Sequence, residues 1–472
     1  MNIFSRLYEP KYMVKEKNIC GPLPTFKGAY STSLKISWPS AVEQLLVAAM
    51  GFIDTMMVGS LGKNAINAVG ITTQPKFLLM ALLFAMNTGI TAVVARRRGE
   101  QDYEGARRTL KQTLLICACL SLIVTICAFF LARPLLLLAG ASEVYIDDAI
   151  MYFRIVMAGQ FFGSLGMTIN AAQRGVGNTR ISMFSNGAAN ITNVVFNFLL
   201  INGIWFFPRL GIKGAAIATA LGSMVAFSMA LRSVMKRGVG AEDNMMTLLC
   251  SSSWRADRRT MRSVTKVASS AFVEQIFLRI GFFAYVALVA RLGNTEYATH
   301  QICMQIIHIS FAFADGFGIG ATSLVGQSLG AKRPDLAMIY SKVGQRYSSS
   351  IGVLLSVLFI VFRRQLIGLF SDDPEVIALG SIIVVFVALA CLAQTAQVVL
   401  SGSLRGAGDS RYVALSSLIS VGVLRPLLSY VLCYPVGLGL IGAWIGLCFD
   451  QALRLVFSYV RMRGDKWTKI SL

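Results

Sequence analysis

The fold class predicted by this chain is an all-α polytopic membrane protein of twelve spans, arranged as two six-helix lobes related by a parallel repeat. Three observations carry that prediction. The first is composition: of 472 residues, 55% are hydrophobic and 14% charged, and the mean hydropathy is +0.63, well outside the range of soluble domains. The second is a phrase, RGVGNTR from Arg174 to Arg180, that returns as RGAGDSR from Arg405 to Arg411, 231 positions later. The third is the distribution of basic residues, which gather on one side of the apolar stretches.

A helix of about 20 apolar residues crosses the ~30 Å hydrocarbon core. Twelve such windows are present, near 36–60, 70–95, 109–132, 147–172, 181–205, 211–234, 267–291, 297–325, 345–365, 376–400, 413–434 and 439–460. Six fall in each half. Residues 36–234 therefore form a first lobe and 267–460 a second, with 1–35 and 461–472 as tails and 235–266 as the linker. An even number of spans returns the chain to its starting side, so the halves share one orientation about an axis along the membrane normal.

The offset of 231 holds far upstream of the repeated phrase. Val42-Glu43-Gln44 falls on Val273-Glu274-Gln275, Leu61-Gly62 on Leu292-Gly293, Gln74 on Gln305 and Gly99 on Gly330. Leucine and valine coincide cheaply in apolar stretches, whereas glutamate, glutamine and glycine at one fixed offset mark a duplication.

Of the 44 Lys and Arg residues, 32 lie in the tails, in the even-to-odd connections or at the span ends next to them. The opposite loops hold Lys63, Arg133, Arg209, Lys213, Arg291, Arg363 and Arg364. The positive-inside rule then puts both termini in the cytoplasm of a multi-pass protein of the inner (plasma) membrane. It also accounts for the net charge of +21 without nucleic acid, which would require the basic residues on one soluble domain with aromatics between them. Residues 1–35 lack the apolar core of a signal peptide and read as a cytoplasmic tail. The nine cysteines show no metal or disulfide spacing and read as small core residues. In the linker, Trp254 with Arg255, Arg258, Arg259 and Arg262 fits either an amphipathic helix at the headgroups or a solvated connection.

Glycines mark the repeated turns. Gly177 and Gly408 are placed for positive φ, and Gly99 and Gly330 for left-handed helix caps. Arg174, Arg180, Arg405 and Arg411 are expected at lipid headgroups or on helix-end carbonyls, and Gly316, Gly318 and Gly320 at a close helix contact. Gly437, Gly439 and Gly442 match G-x-G-x-x-G but follow no strand, and no phosphate loop is present. The chain therefore has no nucleotide engine of its own. Asn190-Ile191-Thr192 has glycosylation spacing inside a span, beyond the reach of the enzyme.

An ionisable residue within a span costs a few kcal/mol and is a functional candidate by default. The deep set is Glu43, Asp54, Arg154, Glu274, Arg279, His300, His308, Asp315, Arg425, Asp450 and Arg454, with Lys76 near an outer end. Asp450 and Arg454 have the i, i+4 spacing of a structural ion pair. Glu43 and Asp54, eleven residues apart, share one helix face to within about 20°. Asp54 lies in the outer half of its span, where desolvation favours uptake of a proton.

Span 5 carries Asn186, Asn190, Asn193 and Asn197 as a polar stripe. These amides either tie helices together or complete a hard-oxygen cage with Asp54 for a small cation such as Na+. The second copy carries a different set: Glu274, Gln275, His300, Gln301, Gln305, His308, Asp315, Gln394 and Gln397. The two histidines either titrate near neutral pH or are hydrogen-bonded core residues.

Pro39 followed by GFIDTMMVGSLG (Gly51–Gly62), VGQSLGA (Val325–Ala331), LRGAGDSR (Leu404–Arg411) and the Asp450–Arg454 stretch before Lys466-Trp467 resemble the MATE (multidrug and toxic compound extrusion) transporters, of the bacterial NorM-like and DinF-like kind. The resemblance runs from about residue 35 to the end. It implies two lobes forming a V-shaped cleft that alternates between inward and outward openings, and antiport of organic, cationic or amphipathic compounds against H+ or Na+. No cofactor beyond the coupling ion is implied, and the expected working unit is a monomer. By the same resemblance Asp54 is the coupling group, with Asn193 and Asn197 as span 5 ligands, Thr219 in span 6 and Glu274 as the span 7 acid.

The chain departs from the family pattern at two positions. Many relatives carry an aspartate where Asn197 stands, and sodium-driven NorM-like members carry one where Gln394 stands, so the proton is the more economical coupling ion. Protonation of Asp54 would act as a switch, because a ligand shifts a conformational equilibrium only by binding its two states differently. Glu43, Glu274, Gln275, His300, Gln305, His308, Asp315, Gln394 and Gln397 are the candidates for the substrate cavity. The rival readings are a lipid-linked precursor flippase, which wants a strongly cationic cavity, and a membrane-embedded enzyme, which needs a catalytic dyad or metal cluster that is not evident.

Overall fold

The computed structural model describes residues 8–204, 207–235, 246–249 and 257–470. Among them there is no strand. Twelve long helices follow in order: α1 (Phe26–Gly59), α2 (Thr73–Gly99), α3 (Tyr103–Phe130), α4 (Ile146–Gly175), α5 (Thr179–Asn202), α6 (Ile212–Met235), α7 (Arg258–Ala290), α8 (Asn294–Gly330), α9 (Pro334–Val361), α10 (Pro374–Gly406), α11 (Ser410–Cys433) and α12 (Gly439–Arg463). Eleven of these are long and apolar enough to cross a membrane. The remaining one is α5, whose asparagines lower its hydropathy although its 24 residues suffice in length.

The duplication is visible in the backbone. Positive φ recurs at Gly62 (104°) and Gly293 (150°), at Gln101 (58°) and Lys332 (56°), and at Gly177 (86°) and Gly408 (87°). The middle pair corrects a sequence expectation: Gly99 and Gly330 end their helices, and the left-handed residue follows two positions later. Packing repeats as well. Thr91 Oγ1 donates to the Ala171 carbonyl at 3.0 Å and Thr322 Oγ1 to the Gly402 carbonyl at 2.8 Å. A Cβ at Gly175 would crowd the Thr91 carbonyl, as one at Gly406 would crowd that of Thr322.

The chain forms two compact units, Leu45–Phe272 and Met1–Gln44 with Val273–Leu472. Their boundaries differ from the expected lobe boundaries, because α1 and α7 are each divided between units. In the 45–272 unit, Ile90 and Val93 of α2, Leu110 of α3, Ile169 of α4 and Val264 of α7 share one apolar core. Met246 of the linker is buried in that core. In the other unit, Tyr285, Ile306, Ile383, Val387 and Trp444 form the main core. Gly316 and Gly320 admit the backbone of α1 at Ala41 and the side chain of Ser37, the close contact expected of small residues.

Both α1 and α7 begin earlier than their predicted windows. The stretch before α1, expected as a tail, is seated on α9. Lys342 Nζ donates to the Met13 carbonyl at 2.6 Å, the Cys20 amide donates to Asp335 at 3.2 Å, and Met13 and Tyr30 are buried with Ile339 and Val343. Trp254 and Arg255 of the linker lie outside the described residues.

Candidate functional site

The 45–272 unit gathers a polar centre from five helices. Asp54 is half-buried, five residues from the end of α1, or about 7.5 Å at the helical rise. The asparagines of α5, at steps of three and four, present one face to it. Asn197 Nδ2 donates to Asp54 Oδ1 at 2.6 Å and lies 3.0 Å from Asn193 Oδ1. Asn193 bonds in turn to Thr219 Oγ1 of α6 at 3.1 Å. Turning the Asn193 amide over satisfies it better: its nitrogen then donates to Asp54 Oδ1 at 2.7 Å and its oxygen accepts from the Thr219 amide at 3.2 Å.

Two further groups complete this centre. The Tyr152 hydroxyl of α4 hydrogen-bonds to Thr219 and lies in the field of Asp54. The Lys76 ammonium of α2, half-buried, acts electrostatically on the same carboxylate. Sequence reasoning named Lys76 only as a charge near the outer end of its span and missed Tyr152, which carries no repeat or spacing signal. Asn197 Oδ1 and Asn190 Nδ2 are buried without hydrogen-bond partners among the described residues. A carboxylate with an unpartnered amide oxygen beside it is a donor set that fits a proton or a small hard cation. Arg154, by contrast, is tied elsewhere, with Nε donating to the Phe129 carbonyl at 3.0 Å.

The other unit is ionic where this one is built of amides. Glu274 is buried and accepts from Arg405 Nη2 at 2.6 Å and from Ser417 Oγ at 3.4 Å. Arg405, expected at headgroups or helix-end carbonyls, is thus an ion-pair partner. The signal for it lay in the repeat, where Glu43 and Arg174 stand at the matching positions. In the first copy Arg174 donates to Ser182 Oγ at 3.0 Å. Asp450 and Arg454 pair as expected at 3.2 Å. Asp450 also binds Arg425, whose Nε donates to Oδ2 at 3.1 Å and whose guanidinium lies 4.7 Å from the Phe282 ring centre. Arg425 and Asp450 are both fully buried.

The candidate substrate residues divide. His300 is fully buried, its ring 5.3 Å from that of Tyr285 and 5.7 Å from that of Trp444, so it belongs to the core of the unit. Gln394 and Gln397 are also buried; Gln394 accepts from Ser310 at 3.0 Å and Gln397 donates to Ser401 at 2.8 Å. About a quarter turn around α8 from His300, Gln301, Gln305 and His308 are exposed and Asp315 is half-buried, at steps of four, three and seven that form one polar stripe. Gln275 of α7 is half-buried. Glu43 is buried in the same unit as Glu274, whereas Asp54 belongs to the other unit.

Comparison with known proteins agrees with this architecture. An uncharacterized transporter, YisQ, of Bacillus subtilis is 26% identical over 432 residues, covering 92% of this chain and 94% of its own. A probable multidrug resistance protein NorM of Thermotoga maritima is 24% identical over 447 residues, covering 92% of each. Among solved structures, an outward-facing multidrug resistance MATE family transporter of the MOP superfamily superposes with a TM-score of 0.85 at 18% identity, over 92% of this chain and 95% of that one. A MOP superfamily transporter from Pyrococcus furiosus also superposes with a TM-score of 0.85, at 20% identity and the same coverage. The MatE family model matches residues 39–199 and 270–431, one match in each copy of the repeat. With the duplicated six-helix plan and family matches at both copies, the chain belongs to the MatE family.

Proposed function

We propose that this protein is a secondary active multidrug exporter of the inner membrane. In this reading it moves organic, cationic or amphipathic compounds outward by antiport with a proton at Asp54, working as a monomer with both termini in the cytoplasm. The observation that carries the reading is the single half-buried carboxylate held by the α5 asparagines in a centre whose only other charge among the described residues is the Lys76 ammonium. A carboxylate in low dielectric changes its interactions sharply when neutralised. On protonation the network of Asn197, Asn193, Thr219 and Tyr152 must re-pair, which gives the two states of the unit different proton affinities, as coupling requires.

The geometry favours a proton over sodium. Asp54 Oδ1 is already engaged by amide hydrogens, and a proton needs one lone pair, whereas a sodium ion needs several oxygens turned inward. The exposed polar stripe of α8, with Gln305 and His308, is the proposed wall for cargo. Polar side chains at membrane depth face water or protein rather than lipid. The flippase alternative draws less support, since the half-buried deep charges include both signs: Asp54 and Asp315 beside Lys76, Arg154 and Arg279. Proteoliposomes loaded with a cationic dye test the proposal under imposed proton or sodium gradients. An inward proton gradient should drive dye exchange by the natural chain, and Asp54→Asn should reduce it to the level of empty vesicles while the purified protein remains folded. Gradient-driven exchange by Asp54→Asn would overturn the assignment.

A further inference from the structure

Between the second half of α7 and α11, within one unit, runs an apolar groove of about 550 Å³. Its floor is made of small residues, Ala284, Ala287 and Gly422, and its sides include Leu288 and Leu427. The groove is bounded at both ends. At one end Gly281 sits against the carbonyl of Val421, so close that a Cβ there would collide with it. Val421 belongs to a π-helical segment, Leu418–Leu424, which widens α11 at that level. At the other end the Tyr434 hydroxyl crosses over to donate to the Leu288 carbonyl at 2.9 Å. Arg291, the first residue beyond α7, stands at this second end with its side chain exposed. Its guanidinium has no ion-pair partner among the described residues.

The dimensions select an occupant. From Gly281 to Arg291 is ten helical steps, or about 15 Å, which is half of the ~30 Å hydrocarbon core. The groove is therefore as long as one leaflet is thick, with a cation at one end. Tyr430 lines it and packs against Tyr434 with ring centres 5.5 Å apart, the aromatic pair expected at a membrane interface. We propose that this groove is a binding site for one phospholipid with an anionic headgroup, its acyl chain laid over Ala284, Ala287 and Gly422 and its phosphate at Arg291. Hydrocarbon contacts alone give no preference, because bulk lipid offers the same ones. Selectivity comes from the arginine, as at other basic pockets between membrane helices.

Native mass spectrometry of the full-length protein, taken from nanodiscs holding equal phosphatidylglycerol and phosphatidylcholine with identical chains, tests this site. The natural chain should retain phosphatidylglycerol in preference, by about fivefold, the worth of one basic residue at a membrane surface. Arg291→Gln should bring retention down to the phosphatidylcholine level, and Ala287→Phe, which fills the floor, should lower both. Gly422→Leu gives a second way to fill the floor should Ala287→Phe fold poorly. Equal retention of the two lipids by the natural chain, or undiminished retention by the filled and charge-neutral variants, would overturn the proposal. Displacement of the lipid by transported dyes would instead make the groove part of the substrate path and would also overturn it. The measurement needs no transport, so its failure leaves the proton-antiport reading untouched.

Discussion

α5 and α11 occupy matching places in the two copies, yet they solve the problem of a polar level inside the membrane in opposite ways. α5 is continuous and carries neutral amides, Asn193 and Asn197, against one acid from α1. At the same offset α11 has Leu424 and Leu428, and the Asp54 position is Tyr285, whose hydroxyl donates to the Ala443 carbonyl at 3.2 Å. Its charge sits one residue further on, at Arg425, immediately after the π segment and locked to Asp450. An acid held by amides, with one ammonium in its field, can change its protonation without breaking a buried ion pair. A fully buried ion pair cannot lose one member without leaving the other uncompensated. The first arrangement suits a switch and the second a rivet.

Breaking the rivet should have the largest effect. Asp450→Asn leaves the buried Arg425 and the half-buried Arg454 without the carboxylate they share, and the expected loss is about 3–5 kcal/mol, read as a lowered melting temperature in detergent or failure to accumulate in the membrane. Asp54→Asn should leave that melting temperature nearly unchanged while removing coupled transport. Were the two variants equally stable, the contrast between the units would fail.

Next comes Asn197→Asp, which gives the centre a second carboxylate and a charge more attractive to a cation. Sodium should then stimulate dye exchange that in the natural chain responds to protons, as followed in the same proteoliposomes with sodium gradients. No sodium response would mean that the neutral amide does not decide the coupling ion.

The shared scaffold is sharpened by matched substitutions. Gly175→Ala and Gly406→Ala each force a Cβ onto a facing carbonyl and should each cost about 1–3 kcal/mol, with similar shifts in thermal unfolding. Smallest of all, Thr91→Val and Thr322→Val each remove one interhelical hydrogen bond and should cost about 1 kcal/mol apiece. Unequal losses within either pair would show that the copies have diverged in packing as well as in chemistry.

Much of this was legible in the residues themselves. The apolar windows, the offset of 231 and the glycines of the repeated turns describe properties that depend on local sequence, since hydrophobic length and backbone sterics act over a few residues. Asp54 and the asparagine stripe were legible for the same reason: polar groups on apolar helices stand out. Tyr152 was not, because a tyrosine on a membrane helix is unremarkable until Thr219 is seen beside it. His300 looked like a cavity residue by its type and is in fact enclosed by Tyr285 and Trp444.

The sequence alone determined that the chain spans the membrane many times, that it is two copies of one unit, and which few ionisable groups lie at depth. Only the tertiary structure decided which of those groups meet a partner on another helix: Asp54 with Asn197, Glu274 with Arg405, and Asp450 with Arg425. It also decided that α1 and α7 divide their lengths between the two units. Such pairings join residues 25 to 143 positions apart. They follow from how helices pack, and side-chain spacing along one helix carries no information about the face of another.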